Sequence, residues 1–169
     1  MCFQYTRCVG FIVLDSSALI TLAGADGLPL LALSPHKTIT VSAVYRETVE
    51  IGAARAHPDA AAIGRLFEQG VVRVQDPHRR EKMAGLSETD SLVLRLAEEV
   101  SAAVLLVNDQ ALLRRAEQRG LAAQFTAEFV QELHRARRIS RRRRDGLFRD
   151  FVANRRYSQE FMEAFSWVR

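Results

Sequence analysis

Two apolar runs in this chain end on acids. "FIVL" (11–14) runs into Asp15, and "VLLV" (104–107) runs into Asn108 and Asp109. Each run is short, aliphatic and bounded by polar residues, which predicts a strand buried on both faces. Strands of that kind belong to parallel sheets covered by helices. A carboxylate at the end of such a strand cannot be buried alone: it is solvated, paired or held on a cation.

The segments between these runs alternate in type. "SSALITLAGA" has Leu19, Ile20, Leu22 and Ala23 at helical spacing. "LPLLALSP" is a second short apolar element closed by Pro35, and "TITVS" (38–42) is a β-branched strand. Residues 42–55 read as a helix with Ser42 as its cap, though the apolar face of Val44, Val49 and Ile51 is irregular. Residues 58–70 form a helix with a Pro start and a Gly stop, and 71–76 a strand. The clearest helix is "LSETDSLVLRLAEEV" (86–100), with Ser87 and Asp90 as a capping-box-like pair and Leu92, Val93, Leu96 and Val100 as its stripe. A strand over 102–109 follows, then a helix stopped by Gly120 and another capped by Thr126. Strands alternating with helices predict an α/β fold with a largely parallel sheet.

Length and composition fit that picture. The chain has 169 residues, 48% hydrophobic and 26% charged, enough for one domain with a real core. No apolar run approaches the roughly 20 residues of a membrane span. The first ten residues lack the apolar stretch and cleavage site of a signal peptide. Cys2 and Cys8 are too few for a disulfide framework and form no C-x-x-C. A reducing, cytoplasmic setting is therefore expected, without a zinc site.

The acids form a pattern. Parallel sheets bind ligands beyond the C-terminal ends of their strands. Asp15 and Asp109 sit at such ends, Asp90 lies in the first turn of the helix before the second of these strands, and Glu47 follows "TITVS" by about one and a half turns. Four carboxylates can thus converge on one cleft. Closely spaced carboxylates repel unless a cation lies between them. Hard oxygen donors without nearby Cys or His select Mg²⁺ or Mn²⁺, and such a site can activate water and stabilise a phosphodiester transition state. Ser17 can hold a carboxylate or a metal-bound water. Each acid also has a plain role: Asp15 and Asp109 as helix caps, Asp90 as a match to a helix dipole, Glu47 as a solvated residue.

Taken in order, "VLDSSALI" (13–20), "VYRE" (44–47), "LSETDSLVLRLA" (86–97) and "LVNDQALLRRAEQRGL" (106–121) resemble the motifs of PIN-domain proteins. The resemblance covers about residues 10–130. It implies a PIN-like parallel sheet flanked by helices over residues 10–133, and a metal-dependent endoribonuclease. Asp15, Glu47, Asp90 and Asp109 would be catalytic, with Asp15, Asp90 and Asp109 on Mg²⁺ or Mn²⁺. Ser17 and Asn108 would be accessory polar residues. Members of this size are often VapC-type toxins, which implies an RNA substrate, a small antitoxin protein as partner and a homodimer. One position departs from the pattern: the Thr or Ser of T-x-D is Val107. That departure keeps open a non-catalytic RNA- or protein-binding PIN module. A haloacid-dehalogenase-type phosphatase ranks low, because it needs a second Asp where this chain has Ser17.

Residues 134–169 are a separate matter. Residues 1–133 carry 13 basic and 16 acidic side chains, whereas 134–169 carry 11 Arg against 4 acids. A mildly acidic body thus bears a basic helical extension, a split that points to a polyanionic partner. Arg141, Arg142, Arg143 and Arg144 are candidates for RNA-backbone contact, since an acidic centre repels phosphate and needs cations nearby. They could equally be a solvated face or pair with the cleft acids. Leu147, Phe148, Phe151, Val152, Phe161, Met162, Phe165 and Trp167 call for burial, so one or two helices docked on the body or on a partner are expected.

Overall fold

The computed structural model describes residues 10–167, and the side chains up to residue 164. Cys2 and Cys8, and the side chains of Phe165 and Trp167, lie outside the described residues.

Five strands form one sheet: β1 Phe11–Leu14, β2 Lys37–Thr40, β3 Val72–Val74, β4 Val104–Val107 and β5 Ala123–Phe125. Their order is β3-β2-β1-β4-β5, and every pairing is parallel. Val13 pairs with Ile39 on one side and with Leu105 on the other, so β1 is central. Ile12, Val13, Leu14, Leu105, Leu106 and Val107 are all buried, as a parallel sheet covered on both faces requires.

Helices cover the sheet. They are α1 Ser16–Ala23, α2 Ser42–Tyr45, α3 Gly52–Ala54, α4 Ala60–Glu68, α5 Glu88–Glu99, α6 Gln110–Gln118, α7 Thr126–Arg135, α8 Arg141–Ala153 and α9 Gln159–Trp167. "LPLLAL" forms a 3-10 helix, Leu28–Leu33.

Three details differ from the sequence expectation. Between α2 and α3 the chain makes a π turn, Arg46–Ile51. The wider turn shifts the residues that follow, which is why the apolar face over 42–55 looks irregular at a fixed period of 3.6. Ser42 is the first helical residue rather than the cap; its N–H and hydroxyl both donate to Asp76, at 2.8 Å each. Thr126 likewise begins α7 after Phe125, whose N–H donates to Glu128 at 2.7 Å. β5 has only three residues and shows no usable alternation, so it is not legible in the sequence.

The extension docks on the body. Leu147 and Phe151 of α8 are fully buried, and Phe148 is nearly so. Gly27 makes the approach possible: a Cβ there would meet Leu22 Cδ2 at 3.1 Å and Leu147 Cδ2 at 3.3 Å. Asn154 donates to the Gly24 carbonyl at 2.5 Å, and Arg143 to the Asp26 carbonyl at 2.7 Å. Phe125, Tyr157 and Phe161 form an aromatic cluster, with Tyr157 stacked on Phe161 at 5.0 Å and edge-on to Phe125 at 6.3 Å. None of the described helices is long and apolar enough to cross a membrane.

Candidate active site

The chain leaves β1 towards β2, and leaves β4 towards β5 on the opposite side. A crevice opens where these directions diverge, past the C-terminal ends of β1 and β4. Asp15 follows β1 into it. Its N–H still donates to the Leu106 carbonyl at 3.1 Å, so the backbone remains laddered to β4.

Asp15 caps α1. Its Oδ2 accepts from the Ser17 N–H at 3.1 Å and from the Ser17 hydroxyl at 2.5 Å. Only 4% of Asp15 is exposed. Burial holds its carboxyl above the usual carboxylate range, the Ser17 bonds oppose this, and the charge of Asp90 pushes it further up. Asp90 is therefore near enough for its charge to act on Asp15. It lies on the first turn of α5, whose Ser87 cap accepts from the Asp90 N–H at 3.0 Å.

Glu47 sits on the π turn. Its Oε2 accepts from the Ser16 hydroxyl at 2.7 Å, and its Oε1 from the Thr89 hydroxyl at 2.5 Å. One carboxylate thereby ties the start of α1 to the start of α5. Ser16 adjoins Asp15 and Thr89 adjoins Asp90, so three of the four acids gather at one edge. A π turn re-aims a side chain by one position, and such turns recur at functional sites.

Asp109 caps α6, with Oδ1 accepting from the Leu112 N–H at 2.8 Å, and it is exposed. Among the described residues, no three His, Cys, Asp or Glu side chains form a ready metal cluster. Val107 is fully buried, so position 107 faces the core and not the crevice.

Asn108 is tied down on all sides. Its N–H donates to Ser17 Oγ at 2.8 Å, and its Nδ2 to Thr21 Oγ1 at 2.5 Å. Its Oδ1 accepts from the Thr126 N–H at 3.1 Å and from the Tyr157 hydroxyl. Its side chain serves the scaffold of α1, α7 and the extension.

Arg143 is anchored at the other end of α1. Arg143 reaches Asp26, past the C-terminal end of α1, whereas Asp15 is at the N-terminal end. An eight-residue helix separates the two by about 12 Å. Arg144 binds Asp145 at 2.6 Å and Gln131 at 3.4 Å and lies over the Phe148 ring; Arg141 pairs with Asp145 at 3.6 Å. The sequence does not single out Ser16, Thr89 or Tyr157. Thr89 was within reach, since "LSETD" places it beside Asp90.

The parallel sheet, with its order reversing between β1 and β4 and helices on it, defines an α/β protein whose carboxylates Asp15, Glu47 and Asp90 stand near that switch point. Residues 11–165 match the family described as DUF3368, PIN domain, and the chain belongs to that family. The match runs through α8 and into α9, so it takes in the basic extension as far as residue 165. PIN domains are generally nucleases that use divalent metal ions. Among solved structures, the chain is similar to a PilT N-terminus domain protein from the hyperthermophilic archaeon Sulfolobus solfataricus P2, with 19% identity over 72% of this chain and 92% of that one, at a TM-score of 0.47. No curated protein matches.

Proposed function

We propose that this protein is a metal-dependent endoribonuclease that hydrolyses RNA phosphodiester bonds at the crevice beyond β1 and β4. The observation that carries it is the pairing of a buried, Ser17-held Asp15 with the charge of Asp90, beside a Glu47 fixed by Ser16 and Thr89. A carboxylate raised mainly by burial, and further by a second carboxylate, is a functional-site candidate when it lies in a crevice.

The donor set fits Mg²⁺ or Mn²⁺. All donors are hard oxygens, and Mg²⁺ is characteristically held by one or two carboxylates, with water and substrate phosphate completing its shell. Asp15 and Asp90 would hold the cation, with Asp109 offering the oxygen not used as a cap. When bound, the cation activates water and offsets phosphodiester charge. Ser17 keeps Asp15 in one orientation, and Glu47 holds α1 and α5 at a fixed separation. A role as the toxin of a toxin–antitoxin pair, in a reducing cytoplasm and as a homodimer, belongs to the same proposal and rests on the resemblance of motifs to VapC-type proteins.

A second reading has its own observation. The absence of a three-carboxylate cluster among the described residues, with Asp109 turned onto Leu112, suits a non-catalytic RNA- or protein-binding module. RNA cleavage in Mg²⁺ or Mn²⁺, compared between wild type and Asp15→Asn/Asp109→Asn, tests the nuclease reading. Cleavage that persists in the double variant overturns it. Calorimetric titration separates the two: no cation binding by wild type favours the module.

A further inference from the structure

We infer that Tyr157 of the C-terminal extension is a positioning residue for the candidate site, acting through Asn108 and Ser17 on Asp15. The inference deepens the nuclease reading and rests on it for its kinetic consequence. The geometry behind it stands by itself.

The chain of contacts has a fixed direction. The Thr126 N–H can only donate, so the Asn108 side-chain atom facing it is the oxygen, and the amide orientation is settled. That oxygen has two lone pairs. One takes Thr126 and the other takes the Tyr157 hydroxyl. The Asn108 nitrogen, on the other side, donates to Thr21. The residue is thus clamped between α1, α7 and the extension. Its main-chain N–H then meets Ser17 Oγ at 2.8 Å. A hydroxyl oxygen that accepts from Asn108 is free to direct its own proton at Asp15 Oδ2, 2.5 Å away. Every link but the last holds the next partner, and the last fixes the rotamer of the buried carboxylate.

Tyr157 itself is well held. Its oxygen also accepts from the Ala127 N–H at 3.2 Å. Its ring is stacked on Phe161 and packed against Phe151 at 5.6 Å. Burial pushes its hydroxyl up to about 12, so it stays a neutral donor throughout the physiological range. A Phe at 157 would keep the packing and leave an Asn108 lone pair without its donor. The extension is therefore joined to the residue beside Asp109 by a hydrogen bond.

The test uses the full chain with Tyr157→Phe, and Phe148→Leu as a control that loosens α8 without touching Tyr157. Two-dimensional amide NMR without metal reads the backbone N–H of Asn108 and Ser17 and the Asn108 side-chain NH₂. Tyr157→Phe should move all three signals, and Phe148→Leu should leave them in place. With Mg²⁺ and an RNA substrate, Tyr157→Phe should lower kcat about tenfold with KM within twofold, equivalent to about 1.4 kcal/mol. The control should keep kcat despite a lower Tm. Unmoved Asn108 and Ser17 signals in Tyr157→Phe overturn the inference. So does a Tyr157→Phe protein with wild-type kcat. If wild type cleaves no RNA, the nuclease reading fails, and the NMR comparison still decides whether Tyr157 holds Asn108 and Ser17.

Discussion

Ser17 donates twice to a single oxygen of Asp15, through its N–H at 3.1 Å and its hydroxyl at 2.5 Å. The backbone bond is the ordinary capping contact of a helix start. The hydroxyl bond is additional, and it holds that oxygen a second time. The strand-end acid is thus a cap whose orientation is set by two bonds from one residue.

Asp15 binds its proton more tightly folded than unfolded, because burial is the largest influence on it. Its contribution to stability is therefore full below the ordinary carboxylate value of about 3.8 and is lost as pH rises through the raised folded value. In metal-free buffer, wild type should lose Tm over that rise, and Asp15→Asn should be flatter and melt a few degrees higher at neutral pH. Melting curves in chelator from pH 4 to 8 check this. Parallel curves for the two proteins count against it. Added Mg²⁺ should raise the Tm of wild type and not that of the variant.

Ser16→Ala or Thr89→Val removes one of the two hydroxyls on Glu47. Both contacts are solvent-accessible, so the stability cost should stay within about 1 kcal/mol. Activity should fall more, about ten- to thirtyfold or about 1.4–2 kcal/mol, because α1 and α5 are no longer fixed by one carboxylate. Urea melts and RNA cleavage rates measured together separate the two effects. Equal loss of stability and activity would make Glu47 a packing residue only.

The extension should be required for folding. Phe151 is fully buried against the body, and Phe151→Ala should cost about 3–5 kcal/mol by urea unfolding. A loss below about 1 kcal/mol would mean that α8 docks more weakly than its burial implies.

Arg141 and Arg142 are exposed at the start of α8. Arg141→Ala/Arg142→Ala should raise KM for RNA and leave kcat within twofold. It should also flatten the salt dependence of binding by about 0.7 in log–log slope for each phosphate no longer neutralised. Binding isotherms at several salt concentrations give that slope. An unchanged slope places the RNA elsewhere on the surface.

Much of the fold was readable because β1 and β4 are unbroken aliphatic runs. "FIVL" and "VLLV" become adjacent central strands, and each ends on the acid that the sequence shows. Ser87 caps α5 where expected, since that contact spans three residues. The rest failed for identifiable reasons. β5 is too short to carry a period. The π turn at Arg46–Ile51 breaks the helical repeat and thereby hides which way Glu47 points. The partners of Asn108 lie 18, 49 and 87 positions away, and nothing local to "VND" announces them. The four consecutive arginines invited an electrostatic role at the crevice, yet the turn of chain after α1 anchors one of them at the far end of that helix.

The contacts of the extension also have an order in time. Asn154 meets Gly24 across 130 positions, and Tyr157 meets Asn108 across 49. A ribosome makes the crevice acids first and the residue that steadies them last. Until residue 157 has emerged, Asn108 has only part of its clamp, and the strand-end carboxylate is present without the brace that fixes its aim. Assembly of this edge of the sheet therefore finishes from the C-terminal side, after every acid in it has already been synthesised.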